Sequence, residues 1–351
     1  MIFKIGRNNF ALTVMVPYDC GNNCAFCTAK EMYRRLDTNV EDVKFQMERT
    51  LHEFSYPIKD VVFTGGEPTA DLDVLRELID IVPADKNVYI NTTLPSNEFD
   101  EFHDLVNDEP KIKGINVSRH TSTIKEDRQF YDFGQSDLKS DDEIVGDEAL
   151  KLIKKPVRIN VVVMRETEDV IEGIVNRWEP MWAEYGNVSV CFRANFALRS
   201  WEERRMRKEN LHNPYTPFLK ALSNKYRFAG HTQCNVCDTT RFLSPKGMVV
   251  SYHRGLEESS VLAPDGSTLE INDLVIFPDG RIGYDWKGIS LKTMYECETW
   301  FSHRNGLLTK LFNFNETVSA QNAYSCGGGG TACGGSSEVQ RSCGCWSNGA
   351  C

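Results

Sequence analysis

The sequence predicts an α/β fold built around a parallel sheet. Short apolar runs typical of buried strands recur through the first 200 residues, at 10–16, 60–64, 87–93, 114–118, 157–163 and 188–192. Helical patterns lie between these runs, and such alternation favours a parallel sheet joined by right-handed crossovers. It predicts six β/α units, but it does not distinguish a barrel from a doubly wound sheet.

Two of the helices can be placed by their caps and apolar faces. Residues 38–41, Thr-Asn-Val-Glu, form a capping-box pattern that predicts a helix start. One face of this helix carries apolar residues at spacings of four, four and three: Val43, Met47, Leu51 and Phe54. Thr69 or Asp71 is expected to cap a second helix, closed by Pro83, with an apolar face of Leu72, Leu75, Leu78, Ile79 and Val82.

Three closely spaced cysteines follow the first strand, in the pattern C-x3-C-x2-C: Cys20, Cys24 and Cys27. They fall on the loop at the strand's carboxyl end, where α/β sheets and barrels carry their chemistry. Structural zinc sites and simple cubane clusters take four protein ligands, so three thiolates on one centre leave a coordination position open. We expect residues 28–35 to lead away from this loop.

A second motif follows the next predicted strand. Residues 61–64 are the short run Val-Val-Phe-Thr, and Gly65-Gly66-Glu67-Pro68 comes directly after it. Two glycines allow backbone carbonyls to approach a ligand closely, and a carboxylate can pair with an ammonium group. Alone, a C-x2-C pair also fits a zinc or redox site, and Gly-Gly-Glu-Pro also fits a turn.

The two motifs, in this order and each at a strand end, resemble the signature of the radical S-adenosylmethionine (radical SAM) superfamily. An aromatic residue, Phe26, also precedes the last cysteine, as in that family. The resemblance implies a partial (β/α)6 TIM-like barrel and a [4Fe-4S] cluster bound by the three cysteines. It implies S-adenosylmethionine (SAM) as cofactor, bound by Phe26, Thr64, Gly65, Gly66 and Glu67.

Polar residues end the third and fourth predicted strands. Asn91, Thr92 and Thr93 end the third; Ser118, Arg119 and His120 end the fourth. The resemblance implies that side chains at these places contact the ribose and carboxylate of SAM, with Arg119 as the expected carboxylate partner. For His120 we expect a structural histidine with its hydrogen bonds satisfied, in preference to a catalytic one.

The resemblance also implies an activity. One electron from the cluster cleaves SAM reductively, and the resulting 5′-deoxyadenosyl radical takes a hydrogen atom from a substrate. A flavodoxin or a ferredoxin is the expected electron donor. The first hypothesis for the substrate is a peptide, modified by thioether crosslinking or epimerisation. The alternative is a nucleotide or other small molecule, as for the family's GTP cyclase of molybdenum-cofactor synthesis. A non-catalytic iron–sulfur or zinc-binding module is the hypothesis from another class.

Charge, hydropathy and cysteine content predict the cellular compartment and the class of partner. Forty Lys and Arg against fifty Asp and Glu give a net charge of −10, which argues against a nucleic-acid partner. Residues 1–5 lack the apolar core of a signal peptide, and no stretch approaches the length of a membrane span. We therefore expect a cytoplasmic protein without a membrane partner. In that reducing compartment the twelve cysteines favour metal ligation or thiol chemistry over disulfides.

We expect three regions: the barrel at 1–200, a C-terminal extension at 201–324, and a flexible tail at 325–351. The extension carries Cys234 and Cys237, which fit a second iron–sulfur cluster, a zinc site or a free thiol pair. Completing a metal site there would take further ligands, for example from Cys191, His253, Cys297 or the tail. Runs at 249–252 and 274–282, the second with a Pro-Asp-Gly turn, are expected to form a small β cap.

The tail has a composition of its own, with five cysteines and eight glycines in residues 325–351. Such a segment cannot bury an apolar core by itself. Three hypotheses remain open for it. The tail is a peptide substrate carried in cis, a source of thiolates that folds over the barrel, or a segment without a role.

Overall fold

A computed structural model describes residues 2–5, 10–18, 20, 22, 24, 27, 29, 33, 36–53, 58–94, 99–131, 144–163, 168–194, 215–234, 237–255, 260–262, 268–271 and 273–283. The predictions for Phe26, Cys297 and the tail 325–351 lie outside these residues.

The described chain is a mixed α/β protein with one large, mostly parallel sheet. Its strands are β1 (Ile2–Ile5), β2 (Phe10–Met15), β3 (Ile58–Thr64), β4 (Asn87–Thr92), β5 (Ile112–Ser118), β6 (Val157–Val163), β7 (Val188–Ala194), β8 (Arg227–Cys234), β9 (Cys237–Leu243), β10 (Val249–Gly255), β11 (Ser260–Leu262), β12 (Thr268–Ile271), β13 (Asp273–Ile276) and β14 (Ile282–Gly283). The six strands expected from the apolar runs correspond to β2–β7.

Strands β2 to β7 pair in parallel and in sequence order. A doubly wound sheet reverses its order at a switch point, and this run of six strands has no reversal. The complete sheet has eleven strands in the order β14-β13-β2-β3-β4-β5-β6-β7-β10-β9-β8. Its two edges are β14 and β8, so within the described residues the ladder does not close on itself.

The runs at 249–252 and 274–282 do not form the separate small β cap that was expected, because their strands extend the large sheet on either side of β2–β7. Strand β10 pairs in parallel with β7, and β13 pairs in parallel with β2. Each therefore satisfies the unpaired backbone groups of an edge strand, which is a more favourable place than an isolated cap. The turn predicted at 278–280 is present between β13 and β14, with Gly280 at φ +77°.

The helices are α1 (Val40–Glu48), α2 (Leu72–Ile81), α3 (Phe99–Asp108), α4 (Ile124–Tyr131), α5 (Glu168–Tyr185) and α6 (Tyr215–Lys225). The cap of α1 differs from the capping box predicted at Thr38: Asn39 is the N-cap, and its Oδ1 accepts from the amides of Glu41 and Asp42. Asparagine is a stronger N-cap than threonine. Of the two candidates for α2, Asp71 is the cap, accepting from the amide of Val74 at 3.0 Å.

The two faces of the sheet differ in chemistry. Alternate residues of each strand join the helices in the main hydrophobic core, for example Leu12 and Val14 on β2. The residues between them are also buried but largely polar, and we call this side the polar face. It comprises Thr13, Thr64, Asn91, Asn116, Ser118, Asn160, Arg193, Ser251 and His253. A buried polar face is typical of a ligand-binding interior, because buried polar groups need partners.

None of the described helices combines the length and the apolar character needed to cross a membrane.

Candidate active site

The cysteine loop begins directly after β2. Cys20, Cys24 and Cys27 are free thiols, each partly exposed. The loop is held by short-range bonds: the Asn22 amide donates to Cys20 Sγ at 3.3 Å, and the Cys27 amide donates to the Cys24 carbonyl at 3.1 Å. All three thiols therefore stand at the carboxyl end of one strand, as their spacing predicts.

The pKa of Cys20 is affected by Glu67, a residue of the second motif. Burial is the main factor that raises the pKa of the Cys20 thiol, and the negative charge of Glu67 is the next. Cys24 and Cys27 add to the same upward shift. Metal binding by Cys20 would therefore have to release its proton.

Glu67 is the centre of a hydrogen-bond network. The side chain is 4% exposed, and both carboxylate oxygens accept hydrogen bonds. Oε1 accepts from the amide and hydroxyl of Thr69, at 3.2 and 2.9 Å, and from the Thr92 hydroxyl at 2.5 Å. Oε2 accepts from the amide and hydroxyl of Thr93, at 2.7 and 2.6 Å. These bonds hold the carboxylate in one orientation at the ends of β3 and β4.

The cysteine loop is bonded to this network. Asn22 Nδ2 donates to Thr93 Oγ1 at 3.2 Å, and Thr93 Oγ1 donates to Glu67. Ahead of the cysteines, the Tyr18 hydroxyl donates to the Pro68 carbonyl at 2.9 Å. The two sequence motifs, which are well separated in the chain, therefore form one continuous structure.

Tyr33 fastens the chain after the cysteines. Its hydroxyl donates to the Val16 carbonyl at 2.8 Å and accepts from the Gly66 amide at 2.6 Å. Residues 28–35 were expected to lead away from the cysteine loop; of these, the structure describes residues 29 and 33, and Tyr33 contacts the second motif. Gly65 lies beside this hydroxyl with φ +107°, a conformation that favours glycine.

The remaining residues predicted to contact SAM lie at the ends of β3, β4 and β5. Thr64 is 3% exposed and its carbonyl accepts from the Val16 amide at 2.8 Å. Asn91 Oδ1 accepts from Asn116 Nδ2 at 2.6 Å, joining β4 to β5 on the polar face. Ser118 is the last residue of β5 and is buried.

Arg119 is completely buried and bonded to backbone. Its guanidinium donates to the carbonyls of Thr93, Ser118 and Val145, at 2.6, 2.8 and 3.1 Å. In this structure it ties the ends of β4 and β5 together. Its predicted contact with a SAM carboxylate stays a prediction.

His120 is buried, as expected for a structural histidine, but within the described residues the structure shows a hydrogen bond at only one of its two ring nitrogens. It is 5% exposed, and its Nδ1 accepts from the Val162 amide at 3.1 Å, so a neutral ring carries its proton on Nε2. Burial, followed by the charge of Arg119, lowers the pKa of His120 to about 3. The neighbouring backbone is held by Asp127, whose Oδ1 accepts from the amides of His120 and Thr121.

Cys234 is the last residue of β8 and Cys237 is the first residue of β9, and the two occupy directly paired positions in this hairpin. The pairing brings their backbones together, as the C-x2-C spacing implies. Among the other candidates, Cys191 is buried on β7, and His253 on β10 is bonded through Nδ1 to Thr239 Oγ1 at 2.8 Å. The choice between a cluster, a zinc site and a free thiol pair stays a prediction.

The fit to a [4Fe-4S] cluster rests on the chemistry of the donors. Three free thiols on one loop can supply thiolate ligands for three of the four irons of such a cluster. Within the described residues, no group of three or more His, Cys, Asp or Glu side chains is already arranged to hold a metal ion. The cysteine loop therefore provides the ligands but not a preformed coordination geometry.

Several residues of this site were not predicted from the sequence as site residues. Tyr18, Asn22 and Tyr33 hold the loop, and Thr69 fixes Glu67. Asparagine, threonine and tyrosine near a motif are too common to be selected by pattern. Their position within a few residues of each motif is the signal that could have found them.

No protein family and no curated protein matches the sequence of this chain. Among solved structures it resembles SuiB from Streptococcus suis bound to S-adenosylmethionine, with 15% identity over 63% of this chain and 52% of that chain and a TM-score of 0.39. It also resembles native anSMEcpe with bound AdoMet and Cp18Cys peptide, with 15% identity over 53% of this chain and 51% of that chain and a TM-score of 0.39. A third similar structure is a radical SAM methyltransferase from Sphaerobacter thermophilus, with 13% identity over 52% of this chain and 55% of that chain and a TM-score of 0.39.

This chain thus spans about half the length of these three proteins. Likeness at such scores assigns neither a fold nor an activity to it.

Proposed function

We propose that this chain is a radical SAM enzyme. Cys20, Cys24 and Cys27 would bind a [4Fe-4S] cluster, and residues at the ends of β3, β4 and β5 would bind SAM. The observation that carries the proposal is the bonded path from Asn22 through Thr93 to Glu67. It joins the three-cysteine loop to the Gly-Gly-Glu motif, which are the two sequence features on which the resemblance depends.

The residues at this site suit the binding of an amino-acid cofactor. Glu67 offers a fixed, buried negative charge that would pair with the ammonium group of SAM. Its orientation is already fixed, because Thr69, Thr92 and Thr93 hold both oxygens, and an ammonium group would take the place of one of these donors. Preorganisation of this kind lowers the entropy lost when a ligand binds.

The polar face supplies the rest of the cofactor site. Asn91 and Ser118 lie on the neighbouring strands β4 and β5, where they would contact the ribose and the carboxylate. A bound cluster would supply the electron that cleaves the sulfonium bond of SAM. The protein's part is to orient SAM and the substrate and to exclude other hydrogen donors and water.

The proposal includes an architecture. The sequential order of β2 to β7 is the order of a (β/α)6 partial barrel, and the polar face would form its interior. Residues 1–200 would form this barrel and 201–324 an extension, although β10 and β13 pair with the barrel strands. The tail would follow at 325–351. The net charge of −10 favours solubility, and the cytoplasmic setting stays a prediction from the sequence.

The test is the formation of 5′-deoxyadenosine. Full-length protein, reconstituted anaerobically with iron and sulfide, should release it from SAM in the presence of dithionite. Cys24→Ala should lose both the bound iron and the product. Cys191→Ala removes another free cysteine, which is buried on β7 and is not part of the three-cysteine loop, and should still form the product. Product formed equally well by Cys24→Ala, or no product from cluster-loaded wild type, would overturn the proposal.

For the substrate we infer a peptide, because the tail composition is that of peptides matured through their cysteine, serine and threonine residues. A tethered tail would also have a high effective concentration at the site. Mass spectrometry of the tail after turnover and thiol alkylation tests this. Mass losses in steps of two hydrogens, with fewer alkylated cysteines under reducing conditions, are expected. A tail that stays fully alkylatable would contradict thioether formation in cis and favour a separate peptide or a nucleotide substrate.

A further inference from the structure

Arg193 is a buried cation without a partner among the described residues. It lies near the carboxyl end of β7 and is 6% exposed. Across the part of the chain that the structure describes, its side chain makes neither a hydrogen bond nor an ion pair, and its guanidinium nitrogens keep some contact with solvent. Its neighbour on β7 shows which way it points: Phe192 belongs to the helix-side core, so Arg193 lies on the polar face.

A second unpartnered polar side chain lies next to it. Asn160 on β6 is fully buried, and neither its Oδ1 nor its Nδ2 has a partner in the described part of the chain. Asn160 pairs with Cys191 in the ladder, and Val162 pairs with Arg193. Asn160 and Arg193 are therefore diagonal neighbours on the same face of adjacent strands.

His253 completes the group on the next strand. It pairs with Arg193 in the β7–β10 ladder and is 7% exposed. Its Nδ1 is engaged with Thr239, which fixes the ring beside Arg193. Three strands thus present a guanidinium, an amide and an imidazole to one region of the polar face.

A buried charge without a partner is unfavourable, and so is a buried amide with both atoms unpaired. Arg177, a largely buried arginine on α5, shows the usual solution, because it pairs with Asp127 and Asp147. Arg193 has no such carboxylate among the described residues. We propose that Arg193 and Asn160 form a binding subsite for a carboxylate group carried by a ligand.

The charge balance favours a carboxylate over a phosphate. The other cations on or beside this face already donate to neutral acceptors, Arg119 to three carbonyls and Arg158 Nε to Asn116 Oδ1 at 2.8 Å, whereas the donors of Arg193 are all available to a ligand. One unpaired guanidinium balances one negative charge and matches the fork geometry of a carboxylate. A phosphate group with two negative charges would need a second free cation.

The subsite borders the proposed SAM site. Asn160 pairs directly with Ser118 on β5, whereas Arg193 lies on β7, with β6 between its strand and β5. We assign the carboxylate to the substrate, and this assignment rests on the proposed function. The binding of a carboxylate at Arg193 does not depend on the proposed function.

Equilibrium unfolding in urea tests the subsite with full-length protein and without any cofactor. In a buffer of Tris chloride, Arg193→Met should unfold at the same urea concentration as the wild type or at a higher one, because it removes an uncompensated charge. Arg177→Met is the matched control and should unfold at a lower concentration, because it leaves two carboxylates unpaired. Asn160→Leu, similar in volume, should behave like Arg193→Met.

Added ligands complete the test. Sodium acetate should raise the wild-type midpoint above that in sodium chloride of equal ionic strength, and should have no such effect on Arg193→Met. Acetamide, the neutral analogue, should not stabilise either protein. Destabilisation of Arg193→Met to the level of Arg177→Met would overturn the subsite, as would equal stabilisation of both proteins by acetate. Selective stabilisation by sodium phosphate but not acetate would overturn the assignment to a carboxylate.

Discussion

The hydroxyl of Tyr33 occupies the space in which a side chain at Gly65 would lie. A Cβ built on Gly65 overlaps that oxygen and comes within 3.0 Å of Met15 Cα. The same hydroxyl bridges the Val16 carbonyl and the Gly66 amide. Glycine is therefore required at residue 65 both for its backbone conformation and for the space that Tyr33 fills.

Replacing Gly65 with alanine should destabilise the protein by about 2–4 kcal/mol, since backbone strain and a displaced hydroxyl add together. Urea unfolding measures the change. Gly186→Ala is the control, because Gly186 has φ +73° but nothing within 4 Å of the position that a methyl group would take. It should cost only the strain, about 1 kcal/mol.

Tyr33→Phe separates the two effects in a double-mutant cycle with Gly65→Ala. Tyr33→Phe alone should cost about 1–3 kcal/mol, because it leaves the Gly66 amide and the Val16 carbonyl without their partner. In the Gly65→Ala background it should cost less, because the hydroxyl is already displaced. Strictly additive effects would contradict the contact.

Glu67→Gln should destabilise the protein by about 2–3 kcal/mol, because an amide NH₂ cannot accept from the donors that face one carboxylate oxygen. The Thr93 amide, which cannot reorient, is the group left unpaired. Glu41→Gln is the control: Glu41 is exposed, its ion pair with Lys44 lies on the surface, and its loss should change stability by less than about 0.5 kcal/mol. Equal effects of the two substitutions would show that Glu67 is not the centre of a network.

His120 should make the protein sensitive to acid. Its pKa is about 3 in the folded protein and about 6.5 in an unfolded chain. Between these values the unfolded state binds one more proton, so stability falls as the pH falls, by about 1.4 kcal/mol per pH unit. Its contribution is fully present above about pH 6.5 and is lost progressively toward about pH 3.

His120→Asn removes this titration, and its side-chain oxygen can still accept from the Val162 amide. Between about pH 6.5 and 4.5 the wild type should lose about 2–3 kcal/mol more stability than this variant. Unfolding curves across the pH range measure the difference. Parallel pH profiles for the two proteins would mean that His120 does not stay neutral in the fold.

Local sequence signals predicted much of the fold. Apolar runs located the strands β2 to β7, and Asp71 was among the candidate caps of α2. These features depend on residues within one element, so a pattern of a few residues contains them. The N-cap of α1 is Asn39 and not Thr38, one residue from the prediction, because these two adjacent residues are both strong N-caps.

Features that depend on distant partners were not predictable in this way. The pairing of β10 with β7 and β13 with β2 is set by which strands need a neighbour, not by the strands' own sequences. The same holds for Tyr33, which returns to Gly66, and for Arg193, whose lack of a partner among the described residues is a property of the folded chain. For the candidate site, spacing identified the two motifs, but the bonds that join them appear only in three dimensions.

The most direct test of a single SAM and cluster site is the electron paramagnetic resonance spectrum of the reduced, reconstituted full-length protein, recorded with and without SAM. The wild type should show a reduced [4Fe-4S] signal that changes when SAM is added, because SAM would bind the iron that three cysteines leave open. Glu67→Gln should show the same signal but require much more SAM to change it. A wild-type signal that SAM leaves unchanged, or an identical response in both proteins, would contradict the account.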